Sequence, residues 1–197
     1  GRKGRVRKRT GGIALPKRIV VVGTGGAGLV AAVAAREAGR DVVVVSKTKR
    51  ALASCTAYSA GIFTLACGGV SPEEHYERTL KTGCGVNEPA LVKILSNEGE
   101  QALMTLRGWG VGITFKKGMA TVRATAQNEL MGGAGFLEEL VSIAERAGIR
   151  FVDWTAATSL KLRGGRVAGV FVQDWRTGRS YTIDAGAVIL ATGGCGQ

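Results

Sequence analysis

The sequence of 197 residues contains a single histidine, His75, and only four cysteines, none of them in a C-x-x-C pair. A disulfide framework, a cysteine-based zinc site and a histidine-based metal cluster are therefore not expected. A serine–histidine–acid triad would depend on His75, and no motif near that residue supports one. Ser71 and Pro72 precede it in a pattern typical of a helix start, which favours a histidine on a helix surface over a catalytic one. The cysteines are Cys55, Cys67, Cys84 and Cys195.

Aromatic residues are also few, at 6%, but the content of 45% hydrophobic and 21% charged residues is that of an ordinary globular protein. The length allows one large domain, or one domain with a small appendage. The uncharged run 19–35 is slightly short for a transmembrane helix and is interrupted by four glycines. We therefore expect a globular domain with no transmembrane segment.

Acidic residues are outnumbered, 15 against 27 basic ones, which gives a formal net charge of +12. Six of the basic residues lie within residues 2–9, so half of the excess charge falls in the first ten residues. We expect residues 1–17 to form a basic flexible tail, with a solvated end favoured over contact with nucleic acid or an anionic surface. The tail lacks the apolar segment of a secretory signal, so a cytoplasmic protein without a specific nucleic-acid partner is expected. Residues 18–197 are expected to form the folded domain.

A glycine turn near the start of the chain carries the strongest motif. Four β-branched residues, Ile19 to Val22, predict a buried strand, and an alanine-rich helix follows. Between them Gly23, Gly25 and Gly28 have G-x-G-x-x-G spacing, which suits a tight turn, the approach of a pyrophosphate to the backbone and close packing of helix on strand. A second apolar strand, 41–45, completes a β-α-β unit of about thirty residues. The sequence therefore predicts a dinucleotide site, with a glycine-rich turn of another α/β fold as the alternative.

The next segments predict further strands and helices. Residues 48–69 are loop-like, and the small and hydroxyl residues within 54–61 suit either a planar ligand or a surface loop. Helices are predicted over 72–82 and 88–109, the second with an apolar face. That face consists of Leu91, Ile94, Leu95, Leu103 and Leu106. No structure is assigned to residues 119–133, where Arg123 is more consistent with a solvated arginine than with a ligand contact.

The remainder returns to the α/β pattern. A helix over 134–147 leads into a strand over 149–152, which fits a third parallel strand. Segments 158–162, 167–174 and 180–184 predict a β-meander. A buried strand over 187–190 then ends in Ala191-Thr192-Gly193-Gly194, small residues at the carboxyl end of a strand, where α/β proteins bind ligands.

Five features of the sequence together resemble a known family. They are the glycine turn, the Ser46-Lys47 pair after the second strand, the Ser54-Cys55-Thr56 loop, the meander and the Ala-Thr-Gly-Gly ending. They are similar to the FAD-binding flavoprotein subunits of succinate dehydrogenase and fumarate reductase, with L-aspartate oxidase as a relative. The resemblance covers roughly residues 18–197. It implies an α/β, glutathione-reductase-like FAD-binding Rossmann domain with a parallel sheet, a helical layer and a β-meander, incomplete at its carboxyl end.

The resemblance also implies a set of cofactor-binding residues. The pyrophosphate would be bound by Gly23, Gly25, Gly26, Ala27 and Gly28. Ser46 and Lys47 would lie at the adenosine ribose, where an acidic residue is usual in NAD enzymes, so an NAD-dependent dehydrogenase is disfavoured. The isoalloxazine side would be faced by Ser54, Cys55, Thr56 and Gly61, and the adenine and its ribose bordered by Ala156, Ala191, Thr192 and Gly193.

The sequence departs from this family in two respects. Respiratory members carry a flavin-linked histidine between the serine and the threonine, whereas this chain has Cys55, so non-covalent FAD is expected and a cysteinyl link is the less favoured alternative. No residue matches the family's substrate-binding or catalytic positions, so the catalytic residues stay unassigned and a second chain or a missing carboxyl-terminal region is expected to complete the fold. The expected function is hydride transfer between flavin and a dicarboxylate-like substrate. The alternatives are a non-catalytic nucleotide-binding or assembly module and one half of a split flavoenzyme.

Overall fold

The structure, a computed structural model, describes residues 18–122 and 132–194. The predicted basic tail, Arg123 and Cys195 lie outside these ranges. Ten strands and four helices occur in the described residues. In chain order they are β1 (Arg18–Val22), α1 (Gly26–Glu37), β2 (Asp41–Val45), β3 (Ile62–Thr64), α2 (Pro72–Thr82), α3 (Pro89–Gly108), β4 (Ile113–Lys116), β5 (Met119–Val122), α4 (Gly132–Arg146), β6 (Arg150–Val152), β7 (Thr155–Arg163), β8 (Arg166–Asp174), β9 (Ser180–Asp184) and β10 (Ala187–Leu190).

A four-stranded parallel sheet in the order β10-β1-β2-β6 forms the centre of the fold. The predicted β-α-β unit and the predicted third parallel strand, β6 beside β2, are both confirmed. Because successive side chains along a strand point to opposite faces of the sheet, the valines of β1 and β2 contribute to a hydrophobic core on each face. Val20 and Val43 pack toward the meander, while Val21 and Val44 pack toward the helices. The uncharged run 19–35 thus folds as strand, turn and helix, and no helix within the described ranges is long and apolar enough to cross a bilayer.

The meander and the helices cover opposite faces of this sheet. Strands β7, β8 and β9 form the predicted antiparallel meander, and Val170 and Val172 of β8 pack on the valines of β1 and β2. On the other face lie α1 and α4, where Ala32, Val33 and Ala144 are buried. One face of the sheet is therefore closed by strands and the other by helices, which leaves the ends of its strands accessible to loops.

A small antiparallel sheet, β3-β5-β4, joins the helical side, and its strands β3 and β5 were not predicted. Strand β3 lies inside the segment predicted to be a loop, and β5 lies in the segment left unassigned. Both are three or four residues long and have no clear alternation of apolar and polar residues, so periodicity did not reveal them. Their pairing, Ile62 with Thr121, depends on residues far apart in the chain.

Two predictions of burial are wrong in part. Strand β10 is only partly buried: Val188 and Ile189 pack against the core, but Leu190 is 62% exposed. The reason is that β10 is the edge of the parallel sheet and no described strand pairs with its outer side. In α3 the predicted inward residues Leu103 and Leu106 are buried. The other three predicted for that face, Leu91, Ile94 and Leu95, are 64%, 52% and 46% exposed. These three lie on a stripe beside the packed one, and no described element covers it.

The prediction that His75 lies on a helix surface is also wrong. His75 is only 3% exposed, although it lies in the first turn of α2 as predicted. Its Nδ1 lies 3.0 Å from Oγ of Ser96 in α3, and its Nε2 lies 3.3 Å from Oγ1 of Thr64 in β3. The imidazole therefore joins three elements, a role that its own helix pattern could not indicate.

An ion pair fixes the start of the parallel sheet. The carboxylate of Asp41 in β2 accepts a hydrogen bond from Nε of Arg18 in β1 at 2.8 Å, and Nη2 of Arg150 in β6 lies 3.3 Å from the same oxygen. The hydrogen bond from Arg18 lowers the pKa of Asp41 below its ordinary value, and the charges of both arginines add to this against the opposing effect of desolvation. A carboxyl group whose pKa is lowered by folding contributes stability above its unfolded pKa of about 4 and loses it as the pH falls through its folded pKa.

Replacement of Asp41 by asparagine is therefore expected to lower the free energy of unfolding at pH 6, and the difference from the parent protein is expected to shrink at pH 3. The effect at pH 6 is under about 1 kcal/mol, because both partners of the pair are substantially exposed to solvent. Urea unfolding at the two pH values measures it, with exposed Glu98→Gln as a control that changes neither value. An equal loss at both pH values would contradict the role of the ionised carboxylate.

Candidate functional site

Gly23 and Gly28 are required by the packing of the protein itself. Gly23 has φ +114°, and a Cβ atom there would lie 2.2 Å from the carbonyl oxygen of Ala191. A Cβ atom on Gly28 would lie 2.1 Å from the carbonyl oxygen of Gly23. Real Cβ contacts of this kind are longer than 3 Å, so any other residue would push the helix or the strand end away. These two glycines bring the ends of β1 and β10 and the start of α1 into close contact.

Gly25 and Gly26 have no such internal requirement. Gly25 is the N-cap of α1, with φ −73° and ψ 178°, a conformation open to any residue. The nearest atom to a Cβ on Gly25 would be Cβ of Ser54 at 3.6 Å, an ordinary contact, and for Gly26 the nearest atoms lie at 3.4 Å. No side chain caps this helix at Gly25, and no acidic residue lies in its first turn. The start of α1 therefore presents backbone N–H groups and the positive end of the helix dipole, with no cap from its own N-cap residue.

The Ser54–Gly61 loop closes one side of this helix start. Oγ1 of Thr56 accepts a hydrogen bond from the N–H of Gly26 at 3.2 Å, and Oγ of Ser54 accepts one from the N–H of Ala57 at 3.1 Å. Gly61 is buried with φ +72°, and a Cβ there would lie 2.6 Å from Cγ2 of Val122, so packing alone requires glycine. Cys55, between the serine and the threonine, is exposed.

The same loop rests on the start of α4. The N–H of Gly133 donates a hydrogen bond to the carbonyl oxygen of Ser59 at 3.1 Å. A Cβ atom on Gly133 would lie 1.9 Å from the carbonyl oxygen of Thr56. The small residues at the start of α4 therefore let the loop lie directly on the helix.

The end of β2 is occupied by a pair of hydroxyl groups. Ser46 is 4% exposed and Thr24, inside the glycine turn, is 7% exposed; their side-chain oxygens lie 2.9 Å apart. Oγ1 of Thr24 also accepts a hydrogen bond from the N–H of Ala51 at 3.3 Å. The hydroxyl of Ser46 is thus bonded within the protein, whereas Lys47 beside it is exposed. Thr24 was not predicted as a site residue, since it occupies a variable position of the glycine motif.

The remaining predicted residues lie at this same edge of the sheet. The N–H of Thr155 donates a hydrogen bond to the carbonyl oxygen of Ser46 at 2.7 Å, which places the neighbouring, half-buried Ala156 beside the end of β2. At the end of β10 the N–H of Ala191 donates to the carbonyl oxygen of Val22 at 2.9 Å. Thr192 and Gly193 follow and are exposed. Ala27, in the first turn of α1, is exposed. The structure therefore brings these predicted residues together at the carboxyl edge of the parallel sheet.

Comparison with known proteins shows similarity to flavoproteins. The sequence profile of a family described as "FAD binding domain" matches residues 18–197. A "Fumarate reductase (cytochrome)" of Shewanella frigidimarina is 32% identical over 196 residues, which cover 89% of this chain and 33% of that protein. An L-aspartate oxidase of Streptomyces coelicolor is 32% identical over 200 residues, covering 94% of this chain and 34% of the relative.

The fold also has solved counterparts. The structure of the open conformation of a flavocytochrome c3 fumarate reductase superposes with a TM-score of 0.77 at 26% identity. That superposition covers 94% of this chain and 35% of the solved one. This chain thus spans about a third of the length of the relatives that it matches.

Proposed function

This chain belongs to the FAD binding domain family, and on that basis we propose that it is the FAD-binding part of a flavin-dependent oxidoreductase of the succinate dehydrogenase and fumarate reductase type. The family match and the relatives confirm the predicted family resemblance, the predicted fold and FAD as the cofactor. When bound, FAD supplies the ring that exchanges hydride with a substrate. The residues of this chain bind and orient that group.

The start of α1 is the observation that carries the proposal. A diphosphate is an anion, and the backbone N–H groups at a helix start can donate hydrogen bonds to it. At the start of α1 the N–H of Gly26 is bonded to Thr56, and no side chain of the N-cap residue competes for the N–H groups that follow. Gly25 has no side chain, so it leaves the approach to these N–H groups open. Neither its backbone conformation nor its contacts require glycine for folding. The glycine is explained if a non-protein group lies against the backbone there. The arrangement of donors and free space therefore fits the pyrophosphate of FAD.

The other predicted residues take roles that agree with this placement. The small residues after β10, Ala191 to Gly193, lie next to the glycine turn and leave room for a nucleotide at the edge of the sheet. Lys47 is exposed at the end of β2 and can offer a positive charge near a phosphate or ribose. Thr56 fixes the loop that carries Cys55 close to the helix start. Because Cys55 stands where respiratory members of the family have a flavin-linked histidine, we propose that FAD is bound without a covalent link.

The proposed substrate is a dicarboxylate-like molecule, and hydride passes between it and the flavin. The support is the similarity to a fumarate reductase and an L-aspartate oxidase. Neither the clamp for such a substrate nor its proton donor is assigned to a residue of this chain, which spans about a third of these relatives. We propose that residues outside this sequence, in the same polypeptide or in a second chain, complete the site. Bound FAD that no dicarboxylate oxidises or reduces in the completed protein would favour a non-catalytic nucleotide-binding module.

Replacement of Gly25 by serine tests the cofactor site. Serine is a good N-cap, so the melting temperature is expected to stay the same or rise slightly. The new side chain occupies the space in front of the helix N–H groups and competes for them, so the affinity for FAD is expected to fall about 30-fold or more. Titration of the protein with FAD, followed by flavin fluorescence, measures the affinity.

Gly108→Ser provides a matched control. Gly108 ends α3, and a Cβ atom there meets nothing within 4 Å. This variant is expected to bind FAD with the affinity of the parent protein. If Gly25→Ser bound FAD equally well, the pyrophosphate would not lie at the start of α1.

An intact-mass measurement of the denatured protein after FAD binding tests the proposal that FAD is bound without a covalent link. Added flavin mass would contradict that proposal.

A further inference from the structure

Arg50 connects the loop after β2 to three other parts of the fold. Its Nε donates a hydrogen bond to Oδ2 of Asp153 at 2.9 Å, and its backbone N–H donates to Oδ1 of the same carboxylate at 3.1 Å. Its Nη1 donates to Oε1 of Glu145 in α4 at 2.8 Å. The guanidinium carbon lies 4.3 Å from the centre of the Phe151 ring in β6. One side chain thus joins the loop, α4, β6 and the turn that follows β6.

The contact between Arg50 and Asp153 is better shielded than an ordinary surface ion pair, whereas Glu145 is 53% exposed. The side chain of Arg50 is 29% exposed and that of Asp153 is 18% exposed. The carboxylate of Asp153 accepts hydrogen bonds from both the side chain and the backbone of Arg50, which restricts the backbone of the loop at this residue as well as the side chain. Arginine is suited to this arrangement because its planar group donates in two directions and stacks on an aromatic ring at the same time.

The residue after Arg50 is fixed as well. Ala51 has φ +61°, a left-handed conformation that is unfavourable for a residue with a side chain and persists where the surroundings enforce it. Its N–H donates to Oγ1 of Thr24 inside the glycine turn. The chain at residues 50–51 is therefore attached on one side to the glycine turn and on the other to α4 and β6.

Two contacts attach the segment 50–59 to the two ends of α4. Arg50 contacts Glu145 near the end of α4, and the carbonyl oxygen of Ser59 accepts a hydrogen bond from Gly133 at its beginning. Between these two anchors lies Thr56, whose hydroxyl group accepts from the N–H of Gly26. The position of the loop relative to the start of α1 is thus determined by the contact of Arg50 with Glu145 before Thr56 and the contact of Ser59 with Gly133 after it.

We propose that Arg50 is a positioning residue, which acts through Asp153 and Glu145 to hold the Ser54–Thr56 loop against the start of α1. This inference rests on the proposed FAD site, of which that loop is one wall. Without the guanidinium the loop samples more conformations, and binding of FAD must then restrict them, which lowers the affinity. The polar environment that the loop gives to the bound flavin changes at the same time.

The experiment compares Arg50→Ala with the parent protein in the full chain. We expect FAD to bind about tenfold more weakly, and we expect the visible absorption and circular dichroism of the flavin to differ from the parent at saturating FAD. Arg50→Lys keeps the charge but not the two-directional hydrogen bonds, so it is expected to restore less than half of the loss. Glu145→Gln weakens one anchor and is expected to give a smaller loss, which supplies a second measurement if Arg50→Ala does not fold.

Lys161→Ala is the matched control. Lys161 bonds to Asp184 in the meander at 2.6 Å, and its side chain is 24% exposed, close to the value for Arg50. Its removal is expected to leave the affinity and the spectrum unchanged. A general effect of losing a part-buried ion pair would appear in both variants.

A double-mutant cycle with Thr56→Val separates positioning from stability. Thr56→Val removes the contact of the loop with Gly26, so the loss caused by Arg50→Ala is expected to be much smaller in that background. Full additivity of the two losses would overturn the positioning role, as would an unchanged affinity and spectrum in Arg50→Ala. A parent protein that folds but does not bind FAD would instead overturn the proposed function on which the inference rests.

Discussion

Replacement of Gly28 by alanine is expected to lower the free energy of unfolding by about 3 kcal/mol and to abolish measurable binding of FAD. Gly28 lies in the first turn of α1, where alanine is otherwise the more favourable helix residue. The added Cβ would lie 2.1 Å from the carbonyl oxygen of Gly23 and 2.9 Å from its carbonyl carbon. These are backbone atoms between a strand and a helix, so they cannot rotate away as a side-chain end can. The helix must move from the sheet, and its N–H groups move with it.

Gly108→Ala is the appropriate control for this effect. It makes the same chemical change near the end of a helix, at a position where a Cβ meets nothing within 4 Å. It is expected to leave stability unchanged or to raise it by about 0.5 kcal/mol through the unfolded state. Urea unfolding followed by circular dichroism measures both variants. A loss of less than about 1 kcal/mol for Gly28→Ala would contradict the close packing of α1 on the glycine turn.

The behaviour of Gly25 and Gly28 divides the glycine motif into two functions. Serine at Gly25 is expected to impair FAD binding without affecting folding, whereas alanine at Gly28 is expected to impair both. The spacing of the motif predicted this division, because it assigned helix packing to one glycine and ligand approach to the other. The structure supplies the distances behind it, 3.6 Å at Gly25 against 2.1 Å at Gly28.

The parts of the fold that the sequence predicted are those with strong local patterns. The valine runs of β1 and β2, the apolar periodicity of α4 and the turns of the meander each determine one element with little help from the rest of the chain. Strand β3 and strand β5 lack such patterns, and they form because they pair with each other and because β5 also pairs with β4. Burial is less predictable than element type. Leu190 and Leu91 are apolar residues on correctly predicted elements, yet both are exposed because no described neighbour covers them.

The site shows the same difference between local and tertiary information. The glycine turn and the Ala-Thr-Gly-Gly segment were found from their own sequence, and the structure brings them together at the ends of β1 and β10. Thr24 and Arg50 were missed, because their partners lie 22 to 103 residues away in the chain. A hydroxyl residue at the end of β2 and another inside the glycine motif were both visible in the sequence. Their pairing became evident only when the strand and the turn were placed side by side.

Replacement of His75 by alanine is the second substitution expected to have a large effect, although it lies outside the predicted FAD site. The side chain is 3% exposed, and both ring nitrogens lie within hydrogen-bond distance of hydroxyl groups. Alanine would leave a cavity between α2, α3 and β3 and would remove the partner of Ser96, which is itself 3% exposed. The combined effect is expected to lower the free energy of unfolding by about 2–4 kcal/mol, which corresponds to a fall in melting temperature of roughly 5–15 °C.

Thermal and urea unfolding test this expectation, with Glu77→Ala as the control on an exposed position of the same helix. The control is expected to change stability by less than about 0.5 kcal/mol. Ser96→Ala should give an intermediate loss, and the loss in the double variant should be less than the sum, since both changes break the same hydrogen bond. A loss below about 1 kcal/mol for His75→Ala would indicate an imidazole at the helix surface, as the sequence pattern alone predicts. A large loss would instead establish that packing and the two hydroxyl partners hold this histidine between the helical layer and β3. Strand β3 directly follows the Ser54–Gly61 loop, so the same contacts support the end of that loop.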